Sequence, residues 1–354
     1  MMIASGMLIY STLLAGSASA QKIYQGFNTG NTFPDNSSKE ESDFRKEFTT
    51  APKLQDSPGV FNSFRLYTTI QAKTEAVPIS AIPAAIKTNT SLLLGIWCSG
   101  SPPDITNELS ALKAAIDTYG ADLASIVIAI SVGSEDLYRN SRSGNKNGAG
   151  IGTQPQLIAQ FIKKTRTAVR GTVLADKPIG HVDTWSAWTN ASNSAVIDAT
   201  DFLGVDIYPF FEADKDNTLD RAPDIFDTLW NRTVHASRGK PVWVTETGWP
   251  YSGDDWGAAS ASADAQAQYW RAVGCGRLFG RVNTWWYTLR DANAESEEKF
   301  AVAGDELRTT PRFNLTCPPG SGAPATVNVS SGAGVVGASW LLVSLIVAIG
   351  FLLV

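Results

Sequence analysis

The chain has 354 residues, a net charge of −5, only 18% charged residues and 11 tryptophans. The negative balance excludes a nucleic-acid partner, because gripping phosphate needs a basic face. Few charges and many aromatic rings suit neutral carbohydrate instead, whose flat C–H faces stack on rings and whose hydroxyls need only a few polar partners.

Residues 1–20 read as a secretory signal cleaved after Ala20. An apolar run over 7–14, too short to span a bilayer, leads into Gly16-Ser17-Ala18-Ser19-Ala20. Eight apolar or β-branched runs follow. They cover residues 23–28, ending on Asn28; 60–67, with Arg65 and Tyr67; 91–98, with Trp97; and 125–132, leading to Glu135. The remaining four cover 178–185, with Asp183 and Trp185; 202–208, with Asp206 and Tyr208; 241–245, leading to Glu246; and 282–287, with Trp285 and Trp286. Helical periodicity fills gaps between them, over 107–119, 157–169 and 223–234.

Near-continuous apolar strands alternating with helices predict an α/β fold, a single closed (β/α)8 TIM barrel over residues 21–316. An open doubly wound sheet is the alternative. It is disfavoured because no Gly-X-Gly-X-X-Gly turn follows the first strand. A Pro/Gly/Ser-rich stretch, residues 317–331, reads as a stalk that buries too little to fold by itself.

Residues 332–354 end in an uncharged apolar tail and resemble the removed propeptide of a glycolipid (GPI) anchor. Ser331 is the expected attachment residue, with Asn328, Ser330 and Gly332 as alternatives. A membrane span is disfavoured, since the tail is short and lacks a basic flank. The expected location is therefore extracellular, tethered to the outer face of the plasma membrane or to the cell wall. Acceptor tripeptides for N-glycosylation occur at Asn36, Asn89, Asn190, Asn231, Asn314 and Asn328. Three cysteines allow one internal disulfide with one thiol left over. Cys98 ends an apolar strand and reads as a small buried hydrophobe, so Cys275–Cys317 is the favoured pair.

The chemistry concentrates at two strand ends. Glu246 emerges from an apolar run into a Gly-Trp-Pro turn, and Glu135 follows Val132-Gly133-Ser134. Catalytic residues of such barrels lie at the C-terminal ends of strands. Two carboxyl groups in one cleft are what glycosidic cleavage requires, one to protonate the leaving oxygen and one near the anomeric carbon. Tyr208 is expected to hold Glu246 by a hydrogen bond. Glu135 also fits a bland reading, a helix N-terminus formed by Ser134-Glu135-Asp136. Asp183 and Asp206 are weaker candidates, and Asp206 is expected to pair with Arg65.

Trp243-Val244-Thr245-Glu246-Thr247-Gly248-Trp249-Pro250 resembles the nucleophile signature of glycoside hydrolase family 17, the β-1,3-glucanases. The likeness extends over Phe64-Arg65-Leu66-Tyr67, Gly95-Ile96-Trp97, Val132-Gly133-Ser134-Glu135, Asp206-Ile207-Tyr208-Pro209 and Thr284-Trp285-Trp286-Tyr287. It is nearest to the fungal, glycolipid-anchored endo-β-1,3-glucosidases of the cell wall. The resemblance implies retaining double displacement on β-1,3-glucan, with Glu246 as nucleophile and Glu135 as proton donor. Many relatives carry Asn before the acid, where it bonds the substrate 2-hydroxyl; Ser134 is shorter, so that contact is either lost, mediated by water or supplied by another residue. Tyr67, Tyr208, Trp249, Trp285 and Trp286 are the expected substrate contacts, and the expected state is a monomer.

No cofactor or metal is expected. The two histidines, His181 and His235, form no zinc spacing. His181 near Asp183 suggests a Ser-His-Asp hydrolase, but no Gly-X-Ser-X-Gly elbow exists, so a satisfied barrel histidine is the expected role. The Gly/Asn/Ser-rich residues 140–152 lack a Gly-Lys-Ser/Thr ending and read as a mobile loop beside the cleft. Transglycosylation of β-1,3-glucan and non-catalytic wall binding are the competing functions.

Overall fold

The computed structural model describes residues 22–293 and 296–323. The secretory signal, most of the stalk, the anchor propeptide and its attachment residues lie outside the described residues, as does Asn328.

Eight parallel strands close into one barrel in simple chain order. They are β1 (Gln25–Thr29), β2 (Ser63–Leu66), β3 (Ser91–Ile96), β4 (Val127–Ser134), β5 (Ile179–Thr184), β6 (Leu203–Asp206), β7 (Val242–Glu246) and β8 (Thr284–Trp286). β8 pairs with β1, Gln25 lying opposite Thr284. The helices are α1 (Glu41–Thr50), α2 (Ala81–Thr88), α3 (Thr106–Ile126), α4 (Asp136–Arg139), α5 (Arg142–Lys146), α6 (Pro155–Val169), α7 (Trp185–Trp188), α8 (Ser194–Ala199), α9 (Ala222–Ala236) and α10 (Ala263–Tyr269). α10 continues as a π-helical stretch, Trp270–Leu278.

Local chemistry sets several boundaries. Proline occupies the first turn of α6 and α9, where its missing N–H costs nothing. Ser262 caps α10 by accepting from the Ala265 N–H. α3 is longer than its periodicity predicts. It breaks at Gly120 (φ 44°, ψ −120°) and resumes to Ile126, which delays β4 by two residues against the sequence expectation. Residues 140–152 are not a continuous loop: Ser141 accepts from the Gly144 N–H and starts α5.

Strand alternation sends side chains to two cores. Leu93, Ala129, Phe202, Trp243 and Trp285 come from segments spread around the barrel yet form one cluster, so they fill its interior. Trp285 Nε1 also donates 3.1 Å to Ser63 Oγ, passing over the intervening β1. The next residue, Trp286, points outward and packs on Trp270 and Phe279 of the helical layer. The Cys275–Cys317 disulfide ties the π-helical stretch to the segment after β8, 42 residues on. Cys98 is a buried free thiol. Residues 317–323 lie against the barrel rather than away from it, since Arg281 Nη2 donates to the Ser321 carbonyl and Ala323 touches the core.

Candidate active site

The C-terminal ends of the strands surround a cleft of about 430 Å³. Its lining includes Asn28, Tyr67, Trp97, Ser134, Glu135, Arg139, Glu246 and Tyr287. Both glutamates from the sequence reading thus share one cavity.

Glu246 ends β7 and is buried. Arg65 Nη1 of β2 donates to its Oε1 at 2.6 Å, and the Tyr67 hydroxyl donates to the same oxygen at 2.7 Å. The Tyr208 hydroxyl donates to Oε2 at 2.8 Å. Burial, and then the Glu246 charge, push both phenols well above their usual range, so both remain donors. Arg65 is itself fully buried and also donates to Asn28 Oδ1 and Ser134 Oγ, at 3.0 and 2.8 Å. The Asn28 amide in turn donates to the carbonyls of Thr245 and Trp285, both at 3.1 Å. After Glu246 the chain turns at Gly248, where a Cβ would lie 2.4 Å from the Tyr287 carbonyl.

Glu135 is presented differently. The β4–β5 register slips between Ser131 and Ser134, and Gly133 adopts φ 84°. A Cβ at Gly133 would lie 2.3 Å from Asp136 Oδ2, so only glycine fits. Glu135 follows in the left-handed region (φ 56°, ψ 24°), and its N–H donates 2.9 Å to the Val182 carbonyl. This slip with its kink aims the carboxyl into the cleft. Glu135 stands at the N-cap position of α4, yet its side chain accepts no capping hydrogen bond. The bland helix-start reading is thus right for its backbone and wrong for its carboxyl. Burial, the Glu246 charge and the Asp183 charge, in that order, push the Glu135 carboxyl up to about 8, against the opposing pull of Arg139 and Arg65.

Asp206 does not pair with Arg65. Its Oδ1 accepts from Thr245 Oγ1 at 2.7 Å, and its Oδ2 is buried without a partner. Arg65 instead spends its ion pair on Glu246. Burial, followed by the Glu246 charge, raises the Asp206 carboxyl well above the usual carboxylate range. Asp183 faces away from the cleft and binds the backbone of α4.

Three of the expected substrate contacts are corrected. Trp249, Trp285 and Trp286 are fully buried and cannot stack on a sugar. Trp249 packs on Phe210 and Tyr269, and its Nε1 donates to the Ser260 carbonyl. A strand pattern shows that a residue is inward or outward, but not whether it sits at the mouth or below it. The open aromatic of the cleft is Trp97, 38% exposed at the end of β3, with the Arg139 guanidinium 5.0 Å from its ring. Its strand-end position was visible in sequence. Arg139 and Arg290 were not, since one ends the four-residue α4 and the other lies in the loop after β8. Arg290 is held to the wall by Glu47, which also pairs with Lys39 at 2.9 Å and accepts from Thr29 at 2.6 Å.

The five described acceptor asparagines, Asn36, Asn89, Asn190, Asn231 and Asn314, are all exposed. Among the described residues, no group of three or more His, Cys, Asp or Glu side chains could hold a metal ion.

The profile of the BtgE/BtgC glycoside hydrolase domain matches residues 26–304. The chain belongs to this glycoside hydrolase family. The hydrolase is 52% identical over 301 residues to the Aspergillus fumigatus protein named probable glucan endo-1,3-beta-glucosidase eglC, covering 85% of this chain and 67% of that one. The Emericella nidulans protein of the same name is 51% identical, with 85% and 64% covered. The hydrolase thus spans about two thirds of the length of these relatives. Among solved structures, the Rhizomucor miehei family 17 β-1,3-glucanosyltransferase superposes with a TM-score of 0.67 at 24% identity, covering 83% of this chain and 98% of that one. The Formosa endo-laminarinase superposes at 0.61 and 14% identity, with 79% and 83% covered. These two likenesses bear on the fold, and they agree with the barrel read from the sequence.

Proposed function

We propose that this chain is a retaining endo-β-1,3-glucanase. The observation that carries the reading is the asymmetry of the two carboxyl groups in one cleft. Glu246 is an anion gripped by Arg65, Tyr67 and Tyr208, whereas Glu135 is pushed up to about 8 and so carries its proton at neutral pH. Glu246 attacks the anomeric carbon as the glycosidic C–O bond breaks, and Glu135 gives its proton to the leaving oxygen. Glu135, now a carboxylate, takes a proton from water, whose oxygen displaces Glu246 and restores both groups. The names of the relatives supply the substrate class, β-1,3-glucan.

The test is release of reducing sugar from laminarin by the wild type, Glu246→Gln and Glu135→Gln. Wild-type activity lost in both variants supports the reading. An inactive wild type that still binds laminarin would indicate a wall-binding protein. A sugar hydroxyl can replace water in the second step, and the likeness to a glucanosyltransferase makes this the second reading. Products longer than a defined laminari-oligosaccharide substrate would identify transfer.

For the rest of the chain we infer export and tethering: signal removal after Ala20 and a glycolipid attached at Ser331, leaving a monomeric, glycosylated enzyme at the cell surface. The small residues and uncharged tail support this. Phospholipase release, with mass spectrometry of the C-terminal peptide, tests it. A released peptide that retains residues 340–354 would overturn the anchor.

A further inference from the structure

His181 and Asp183 are fully buried on β5, outside the cleft lining. His181 Nδ1 lies 2.5 Å from the Val132 carbonyl of β4, and Nε2 lies 3.0 Å from Asp183 Oδ2. Both partners accept, so both ring nitrogens must donate and the ring is an imidazolium. Burial alone would lower its pKa, but the Asp183 hydrogen bond and charge outweigh this and raise it. Asp183 then uses its two oxygens on the neighbouring element. Oδ2 accepts the Leu137 N–H at 2.8 Å and Oδ1 the Tyr138 N–H at 3.1 Å. These are otherwise orphaned donors in the first turn of α4, which begins immediately after Glu135. The pair therefore grips the chain on both sides of Glu135: Val132 before it and Leu137 and Tyr138 after it. Between these grips the chain passes through two positive-φ conformations, Gly133 and the left-handed Glu135, separated only by Ser134. A left-handed non-glycine residue is strained and persists only where its surroundings fix it.

We propose that His181 and Asp183 are positioning residues for the acid/base Glu135, a buried clamp from β5 that holds its strained backbone so that the carboxyl meets the leaving oxygen. This rests on the reading of Glu135 as acid/base given above. The Asp183 charge also adds, after burial and the Glu246 charge, to keeping Glu135 protonated. The clamp acts on one carboxyl only. Glu246 is held by Arg65, Tyr67 and Tyr208, none of which bonds His181 or Asp183, although Arg65 also reaches Ser134 of the clamped segment.

That separation supplies a test that a general loss of structure would not mimic. Asp183→Asn and His181→Gln are made in the full chain and assayed on laminari-oligosaccharide and on a dinitrophenyl laminaribioside. The second leaving group departs without a proton, so formation of its glycosyl-enzyme needs Glu246 but not Glu135. Misplacing a catalytic group by about 1 Å can cost on the order of 100-fold, so kcat on oligosaccharide should fall about 10- to 100-fold. KM should stay within about twofold, and kcat/KM on the aryl substrate, which reports only steps through the glycosyl-enzyme, within about threefold. Azide should restore aryl-substrate turnover. Equal losses on both substrates, or no loss on oligosaccharide, would overturn the clamp. If Asp183→Asn does not fold, His181→Gln decides, because its amide still donates to Asp183. Failure of the underlying reading looks different: Glu135→Gln would itself retain full activity on oligosaccharide.

Discussion

Arg65 and Glu246 form an ion pair of 2.6 Å that crosses the barrel mouth from β2 to β7, two strands that are not neighbours. Both side chains are largely withdrawn from water, so neither charge is well solvated without the other. The pair fixes the Glu246 carboxylate and closes the top of the interior at the same time.

Glu246→Gln should therefore lose turnover by on the order of 10⁴-fold or more, since an amide cannot attack the anomeric carbon. Removing one partner of a buried pair typically costs about 3–5 kcal/mol. Asp206, with an unpartnered oxygen near Arg65 and a pKa raised first by burial and then by the Glu246 charge, should ionise and offset part of this. Denaturant unfolding of Glu246→Gln and of the Glu246→Gln/Asp206→Asn double variant measures the offset. Additive losses would show that Asp206 takes no part.

Activity on laminarin should decline as the pH rises through about 8, where Glu135 loses its proton. Linkage gives a matching sign for stability. The folded value lies above the ordinary 4.5, so the stability tied to this proton is fully present below about 4.5 and lost as the pH rises through about 8. The pH profile of kcat/KM is the measurement. An alkaline limb that survives unchanged in Glu135→Gln, assayed on the dinitrophenyl substrate, would assign that limb to another group.

Trp285→Ala and Trp286→Ala should each cost about 3–5 kcal/mol of stability, because both rings are fully buried. Trp97→Ala should leave the melting temperature nearly unchanged and weaken oligosaccharide binding by about 1 kcal/mol or more, roughly fivefold in Kd. Calorimetric titration of an inactive Glu246→Gln background separates the two. Unaltered affinity in the Trp97 variant would sink its role as a sugar platform.

Cys275→Ser/Cys317→Ser should lose about 4 kcal/mol, the chain-entropy value for a loop of 42 residues. In the wild type, a thiol reagent should label nothing until denaturant is added and then label one site, Cys98. Labelling of three sites after denaturation without reductant would show that the bond does not form.

The strands were legible because a strand covered on both faces leaves an unbroken apolar run, as in residues 91–98 and 202–208. Glu246 and Glu135 were legible because each follows such a run. What was not legible depends on the third dimension. Arg65 was assigned to Asp206 because sequence does not say which strand ends meet across a mouth. Trp285 and Trp286 were read as surface because a tryptophan at a strand end looks the same in sequence at either depth. The function of Asp183, two residues after His181 and on the same strand, depends on backbone amides of another element, and no side-chain motif records those.

Asn28 joins the first strand to the last two, bonding carbonyls 217 and 257 residues away. During synthesis it waits, with its hydrogen-bond partners still inside the ribosome, until nearly the whole barrel has emerged. Contacts so distant along the chain form slowly. The catalytic centre is therefore a late product of folding: a polypeptide halted before β8 already contains both glutamates but has no closed mouth in which to oppose them.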